Sequence, residues 1–230
     1  MDFMQKRAEE AEEAEDLQTA LDLWRELAVK DQEPSFFVRY GSVAKKLEKW
    51  AEAENAFTQA LRLDPTSSLI MENMGSLWAN RVDKNETDSF EAAKQWFLRA
   101  LKQEHHARLL TQLAGTYVAL ADYAAARDTF EEAIRIDPHY EEALYNLAVL
   151  DEEANPQKSV ELLERAIQID PDYATAHQAL GRLFQKAKDL VRAEYHFRRS
   201  LEVDPADYWS NMYMANLLGV LGRNGEAEET

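Results

Sequence analysis

The sequence predicts an all-α solenoid of antiparallel helix-turn-helix units, and three observations carry that prediction. Asp-Pro dipeptides close successive segments at Asp64-Pro65, Asp137-Pro138, Asp170-Pro171 and Asp204-Pro205. Their prolines lie 73, 33 and 34 residues apart, the longest interval being one 34-residue unit plus one stretched to 39. Ahead of each boundary runs Ala (Ser159 in one case), then Phe or Leu four residues on, then Ala or Ser three later. A fixed period in the thirties marks a stack of like supersecondary units, with no single globular core.

The units follow in order. In 1–33, Ala20 and Trp24 fit a second helix, while Arg7 stands where Leu is expected in the first. Glu9, Glu10, Glu12, Glu13, Glu15 and Asp16 crowd that first helix as a solvated face, or as a docking site for a basic partner. In 34–67, Phe37, Tyr40, Gly41 and Ala44 form one apolar stripe, a polar break falls near Glu48, and Trp50, Ala53, Phe57 and Ala60 form the second. Gly41 and Ala53 fall where the two helices must approach closely. Proline cannot continue a helix but suits the first turn of the next, and Asp is a good N-cap, so Asp64-Pro65 is expected to stop one helix and start another.

Unit 68–106 repeats the stripes with Met71, Met74, Gly75 and Trp78, then Ala93, Phe97 and Ala100. It carries a polar insertion at 81–88, expected as a surface loop, and has Glu104-His105 in place of Asp-Pro. Unit 107–140 has Leu110, Leu113, Ala114 and Tyr117, then Ala126, Phe130 and Ala133; unit 141–173 has Leu144, Leu147, Ala148, Leu163 and Ala166. Unit 174–207 has Leu180, Gly181, Phe184, Ala193, Phe197 and Ser200, with His177 at a normally bulky apolar position. The last unit, 208–230, is incomplete. Its helix presents Tyr208, Met212, Met214, Leu217, Leu218 and Leu221, a face that a following helix should cover. The expectation is a chain that continues past Thr230 or self-associates through this end.

Large apolar residue, Leu-Gly, Tyr, then Ala, Phe, Ala and Pro, repeated in phase over nearly the whole chain, resembles the tetratricopeptide repeat (TPR) family. That resemblance implies a right-handed superhelix of antiparallel helix pairs that binds protein ligands in a concave groove lined by the first helix of every unit.

Composition narrows the function. The formal charge of −17 opposes nucleic acid and anionic membranes, both of which need clustered Lys and Arg. Cysteine is absent, which removes disulfides and thiolate chemistry and favours a reducing, cytoplasmic setting. No run of about 18 apolar residues and no signal sequence is present.

No reactive constellation assembles, so no catalytic, cofactor or metal residues are assigned. His105-His106 reads as a solvated joint; His139, His177 and His196 place no ligand pair on one helix face. Glu131-Glu132 and Glu152-Glu153 are adjacent and therefore diverge on a helical surface. Trp24, Trp50, Trp78, Trp96, Tyr117 and Tyr123 lie on or beside core stripes, whereas Trp209 points away.

In arrays of the TPR kind, positions two, five, six and nine of each first helix face a ligand. Here the resulting candidates for a peptide-binding groove are Glu72, Asn73, Arg108, Thr111, Glu142, Tyr145, Asn146, Gln178 and Arg182. Asn73 and Asn146 stand out, because an amide can donate to and accept from an extended backbone at once. The family's carboxylate clamp for chaperone C-termini is not met: Val38 and Ser42 fill its first pair, Asn73 fits its middle, and Arg108 with Gln112 only loosely fits its last. The expected function is a non-catalytic protein-interaction scaffold holding a peptide or a partner's helix. The alternative is the substrate-selecting arm of a transferase-like enzyme with its catalytic domain beyond Thr230.

Overall fold

The computed structural model describes residues 3–81 and 85–223, and the described residues form thirteen helices without strands. The chain divides into two compact units, Met1–Ala126 and Arg127–Thr230. The first carries α1 (Phe3–Glu13), α2 (Leu17–Asp31), α3 (Pro34–Lys46), α4 (Trp50–Leu63), α5 (Ser68–Ala79), α6 (Glu86–Leu101) and α7 (Ala107–Ala119). After α8 (Tyr123–Ile136), the second carries α9 (Glu141–Asp151), α10 (Pro156–Ile169), α11 (Ala174–Lys186), α12 (Leu190–Val203) and α13 (Tyr208–Val220). Within each unit every helix packs on the next, so the fold is an all-α helical repeat.

One turn geometry makes most of the hairpins. Glu15, Glu48, Ala121 and Lys188 adopt left-handed φ values of 57°, 56°, 59° and 63° just past a helix end. The next amide then bonds back five residues: Lys49 N to Ala44 O at 2.9 Å, Asp122 N to Tyr117 O at 2.9 Å, Asp189 N to Phe184 O at 2.8 Å. That bond satisfies a carbonyl the helix end leaves open. Gly222 and the bond from Arg223 N to Leu218 O repeat the turn after α13.

The Asp-Pro joints work differently from the expectation. Asp64 is the C-cap of α4, and α5 starts three residues after Pro65 with Ser67 as its own N-cap. The Asp carboxylate instead accepts from the amide two residues on, at Thr66, His139, Asp172 and Ala206. An Asp side chain that bonds its own downstream backbone builds a turn, which the fixed φ of proline then stiffens.

The close approach at Gly41 also has a sharper cause than helix-on-helix contact. A Cβ built there would lie 2.6 Å from the Phe57 ring, at Gly75 2.5 Å from Phe97, and at Gly181 2.5 Å from Phe197. A phenylalanine ring from the second helix takes the space that a side chain at the glycine would need, and Ala53 and Ala93 are buried on the same second helices. Ala114 takes the glycine's place in α7.

Three expectations are corrected. The insertion is not all loop: Asn85 caps α6, which contains Glu86, Thr87 and Asp88, while Val82, Asp83 and Lys84 lie outside the described residues. Arg81 is buried, paired to Glu54 at 2.7 Å and stacked over Trp78 at 4.8 Å, because its long stem covers apolar surface. Tyr123 is exposed. On α13, Met214, Leu217 and Leu218 are buried inside the unit, so the open face is narrower: Tyr208, Trp209, Met212, Val220 and Leu221. The second helix expected around Ala227 lies outside the described residues.

Candidate functional site

Glu72 organises a polar cluster on the first helices of the first unit. Its side chain, 8% exposed, meets Arg108 at 3.1 Å and His106 Nε2 at 3.9 Å. A buried carboxylate needs such partners. Lys45 on α3 lies nearby: burial pushes its pKa down, opposed by the attraction of Glu72, and its Nζ donates to Ser76 Oγ at 2.8 Å. His106 is no free joint residue, since its Nδ1 caps α7 by accepting from Leu109 N at 3.2 Å.

The remaining first-unit candidates are used locally. Asn73 Nδ2 donates to Leu69 O at 2.8 Å, one turn back in its own helix. Thr111 is buried, with its hydroxyl donating to Ala107 O at 2.9 Å. Glu72, Arg108 and Asn73 thus line the stripe, and Thr111 sits beneath it.

In the second unit, Glu142 accepts from the Tyr140 hydroxyl at 2.7 Å. Tyr145 packs against Tyr173 with ring centroids 5.4 Å apart; burial, reinforced by Tyr145, pushes the Tyr173 pKa up to about 12. Asn146 is half-buried and has no hydrogen-bond partner among the described residues. Gln178 is tied to the start of α13, the next first helix, donating to its N-cap Asp207 Oδ2 at 2.8 Å and to Ser210 Oγ at 3.3 Å. Arg182 pairs with Glu152, leaving its buried Nε without a partner.

Arg182 also lines an open groove of about 560 Å³ with Glu152, Glu153, Gln185, Lys186, Met212, Tyr213 and Asn216. Lys186 pairs with Glu153 at 2.7 Å, and Gln185 donates to Asn216 at 3.0 Å. Glu152 and Glu153 therefore serve one groove, contrary to the expected divergence, because α9 ends at Asp151 and both follow its last turn. A second groove, about 280 Å³, lies within the first unit at Ser76, Asn80, Gln112 and Gly115. Counting from each helix start, Lys45, Asn80, Glu152, Gln185 and Lys186 occupy positions twelve and thirteen. Extending the two-five-six-nine stripe by one more turn of a 3.6-residue helix would have found them.

His177 and His196 share no helix face, yet they meet across α11 and α12. Their Nδ1 atoms lie 3.0 Å apart, and His177 Nε2 reaches Pro171 O at 3.1 Å. The Pro171 carbonyl can only accept, so His177 Nε2 carries the proton and its Nδ1 accepts from His196. Burial lowers both pKa values, that of His196 to about 4. No group of three or more His, Cys, Asp or Glu among the described residues could hold a metal ion.

Sequence profiles described as tetratricopeptide repeat match residues 107–150, 149–208 and 34–67. No curated protein gives a match. Among solved structures, PilF of Pseudomonas aeruginosa is similar at 17% identity and a TM-score of 0.75, over 86% of this chain and 89% of that one. PilW, described as a type IV pilus biogenesis factor, is similar at 18% identity and 0.71, over 85% and 89%. YrrB, described as a TPR protein with an unusual peptide-binding site, is similar at 14% identity and 0.56, over 81% and 94%. At these identities the likeness establishes the fold.

Proposed function

This chain belongs to the tetratricopeptide repeat family, and from that premise we propose that it is a non-catalytic scaffold holding a peptide or partner helix on its first-helix stripes. The observation that carries this reading is the coincidence of open grooves with those stripes. In each unit taken by itself, the groove is lined chiefly by first-helix residues at positions six to thirteen. Concave, partly apolar surfaces with a few convergent polar groups are where ligands settle.

The charge of −17 supports a protein partner over nucleic acid or an anionic membrane. No described helix is long and apolar enough to cross a membrane, and a cytoplasmic setting remains part of the proposal. Asn146 is the candidate whose amide stays available to a peptide backbone.

A random peptide library selected on the immobilised chain tests this. Selected peptides should lose about tenfold in affinity, roughly 1–2 kcal/mol, on Asn146→Ala, with melting temperature little changed. Val191→Ser and Tyr195→Ser, on the exposed face of α12, should leave binding intact. Selection of no peptide, or loss of binding through the α12 changes alone, contradicts the proposal.

A further inference from the structure

We propose that the first unit holds an anchor pocket for one uncharged apolar side chain of a bound peptide, where the last turn of α5 meets the middle of α7. It rests on the scaffold reading and adds the chemistry that the bound segment must present. The pocket, about 280 Å³, is lined by Ser76, Ala79, Asn80, Phe90, Phe97, Gln112, Gly115 and Thr116, and none of these carries a charge. In a chain with 30% charged residues, a lining whose own side chains carry no charge, over two phenylalanine rings, favours an apolar occupant, and the adjacent Lys45 ammonium is held on Ser76 Oγ at 2.8 Å. The volume falls just below the usual range for small-molecule sites, which suits a single side chain.

Gly115 makes the opening. A Cβ there would meet nothing within 4 Å, so neither a packed ring nor backbone conformation explains the glycine. Helix-interior glycine is less stable than alanine, so the fold alone gives no reason for it here. The residues at the same position of α3, α5, α9, α11 and α13 are Ser42, Ser76, Val149, Arg182 and Asn216, all with side chains. Gly115 therefore leaves space that its counterparts fill.

The second observation is Gln112. Its Oε1 is buried and has no hydrogen-bond partner, a state that costs free energy unless a donor arrives. Several of the other polar groups of the lining are already engaged. Asn80 Nδ2 donates to Ser76 O at 2.7 Å, Thr116 Oγ1 donates to Gln112 O at 2.9 Å, and Ser76 Oγ accepts from Lys45 at 2.8 Å. The pocket thus asks for an apolar body with an N–H close beside it. A peptide residue of leucine type supplies both, its side chain on the phenylalanine floor and its amide to Gln112.

Solution NMR of the ¹⁵N-labelled full chain tests this with N-acetyl-leucinamide as probe and the amide of N-acetylglutamic acid as the charged comparison. Leucinamide should shift the Gly115 backbone and Gln112 side-chain signals with millimolar saturation, and the glutamate probe should bind at least fivefold more weakly. Gly115→Val should abolish the shifts at an unchanged or higher melting temperature, and the smaller Gly115→Ala should weaken them about threefold. Absent shifts, equal response to the charged probe, or indifference to both substitutions overturns the pocket. Random twelve-residue peptides on phage separate the two readings. Selected peptides indifferent to Gly115→Val defeat the pocket and leave the scaffold standing; a library yielding no binder defeats the scaffold, while the leucinamide shifts still report on the pocket.

Discussion

The two units run the same repeat with opposite polarity at equivalent places. From the middle of its first helices onward, the first unit presents Ser76, Asn80, Gln112 and Gly115 over apolar rings. The second presents Glu152, Glu153, Arg182 and Lys186, already paired with one another. Between first and second helices the contrast recurs: Phe37 and Met71 occupy the place that His177 holds in α11, and Ala56 and Trp96 the place of His196. The repeat fixes where a side chain points, while its identity decides whether that position stores an interaction or leaves one open to a partner.

The histidine pair gives the largest expected difference. Both folded pKa values lie below the ordinary 6.5, so between pH 6.5 and about 4 the unfolded chain takes up protons that the folded one refuses. Stability from the pair is full above pH 6.5 and is lost as pH falls toward 4, on the order of 2–3 kcal/mol across that window. Giving the second unit the first unit's residues, His177→Phe with His196→Ala, should flatten this part of the pH dependence. Urea denaturation of both proteins at pH 7 and 4.5 checks it; equal slopes would remove the histidines from the account.

Glycine substitutions sharpen the same comparison. Gly75→Ala and Gly181→Ala force a Cβ into a buried phenylalanine ring and should lose about 1–3 kcal/mol. Gly115→Ala meets open space and should gain about 0.5–1 kcal/mol. Thermal melts suffice, and a loss at Gly115 like that at Gly181 would mean the first unit's pocket is filled by its own side chains.

The ion pairs come last. Glu152 and Arg182 are 18% and 33% exposed, so a double-mutant cycle with alanine should give a coupling of about 0.5–1 kcal/mol that shrinks in high salt. Glu153 with Lys186 is more open and should give less. A coupling that salt leaves untouched would mean that packing, more than charge, holds that rung.

Much of the architecture was legible because period and stripe are properties of sequence. The phenylalanines, the buried alanines and the helix order followed from recurrence alone. What escaped depended on three-dimensional neighbours. Asp64-Pro65 reads equally as cap or turn, and only the carboxylate's bond to the Thr66 amide decides. His177 and His196 lie 19 positions apart on different helices, where no one-helix spacing rule brings them together. Arg81 looked like loop because its charge hid a stem that stacks on Trp78. Of the site, positions two to nine were read, whereas the last turn, with Lys45, Asn80, Gln185 and Lys186, needed the groove itself. Asn73 was chosen for an amide that its own helix occupies.

Site-specific photocrosslinking tests most directly whether the first-helix stripes bind the partner. Benzoylphenylalanine would replace Asn146 or Gln185 on the stripe, and Val191 or Tyr195 on the exposed face of α12, each challenged with a library-selected peptide. The account predicts crosslinks to the peptide at Asn146 and Gln185 and none at Val191 and Tyr195. Crosslinks confined to the α12 positions would contradict it.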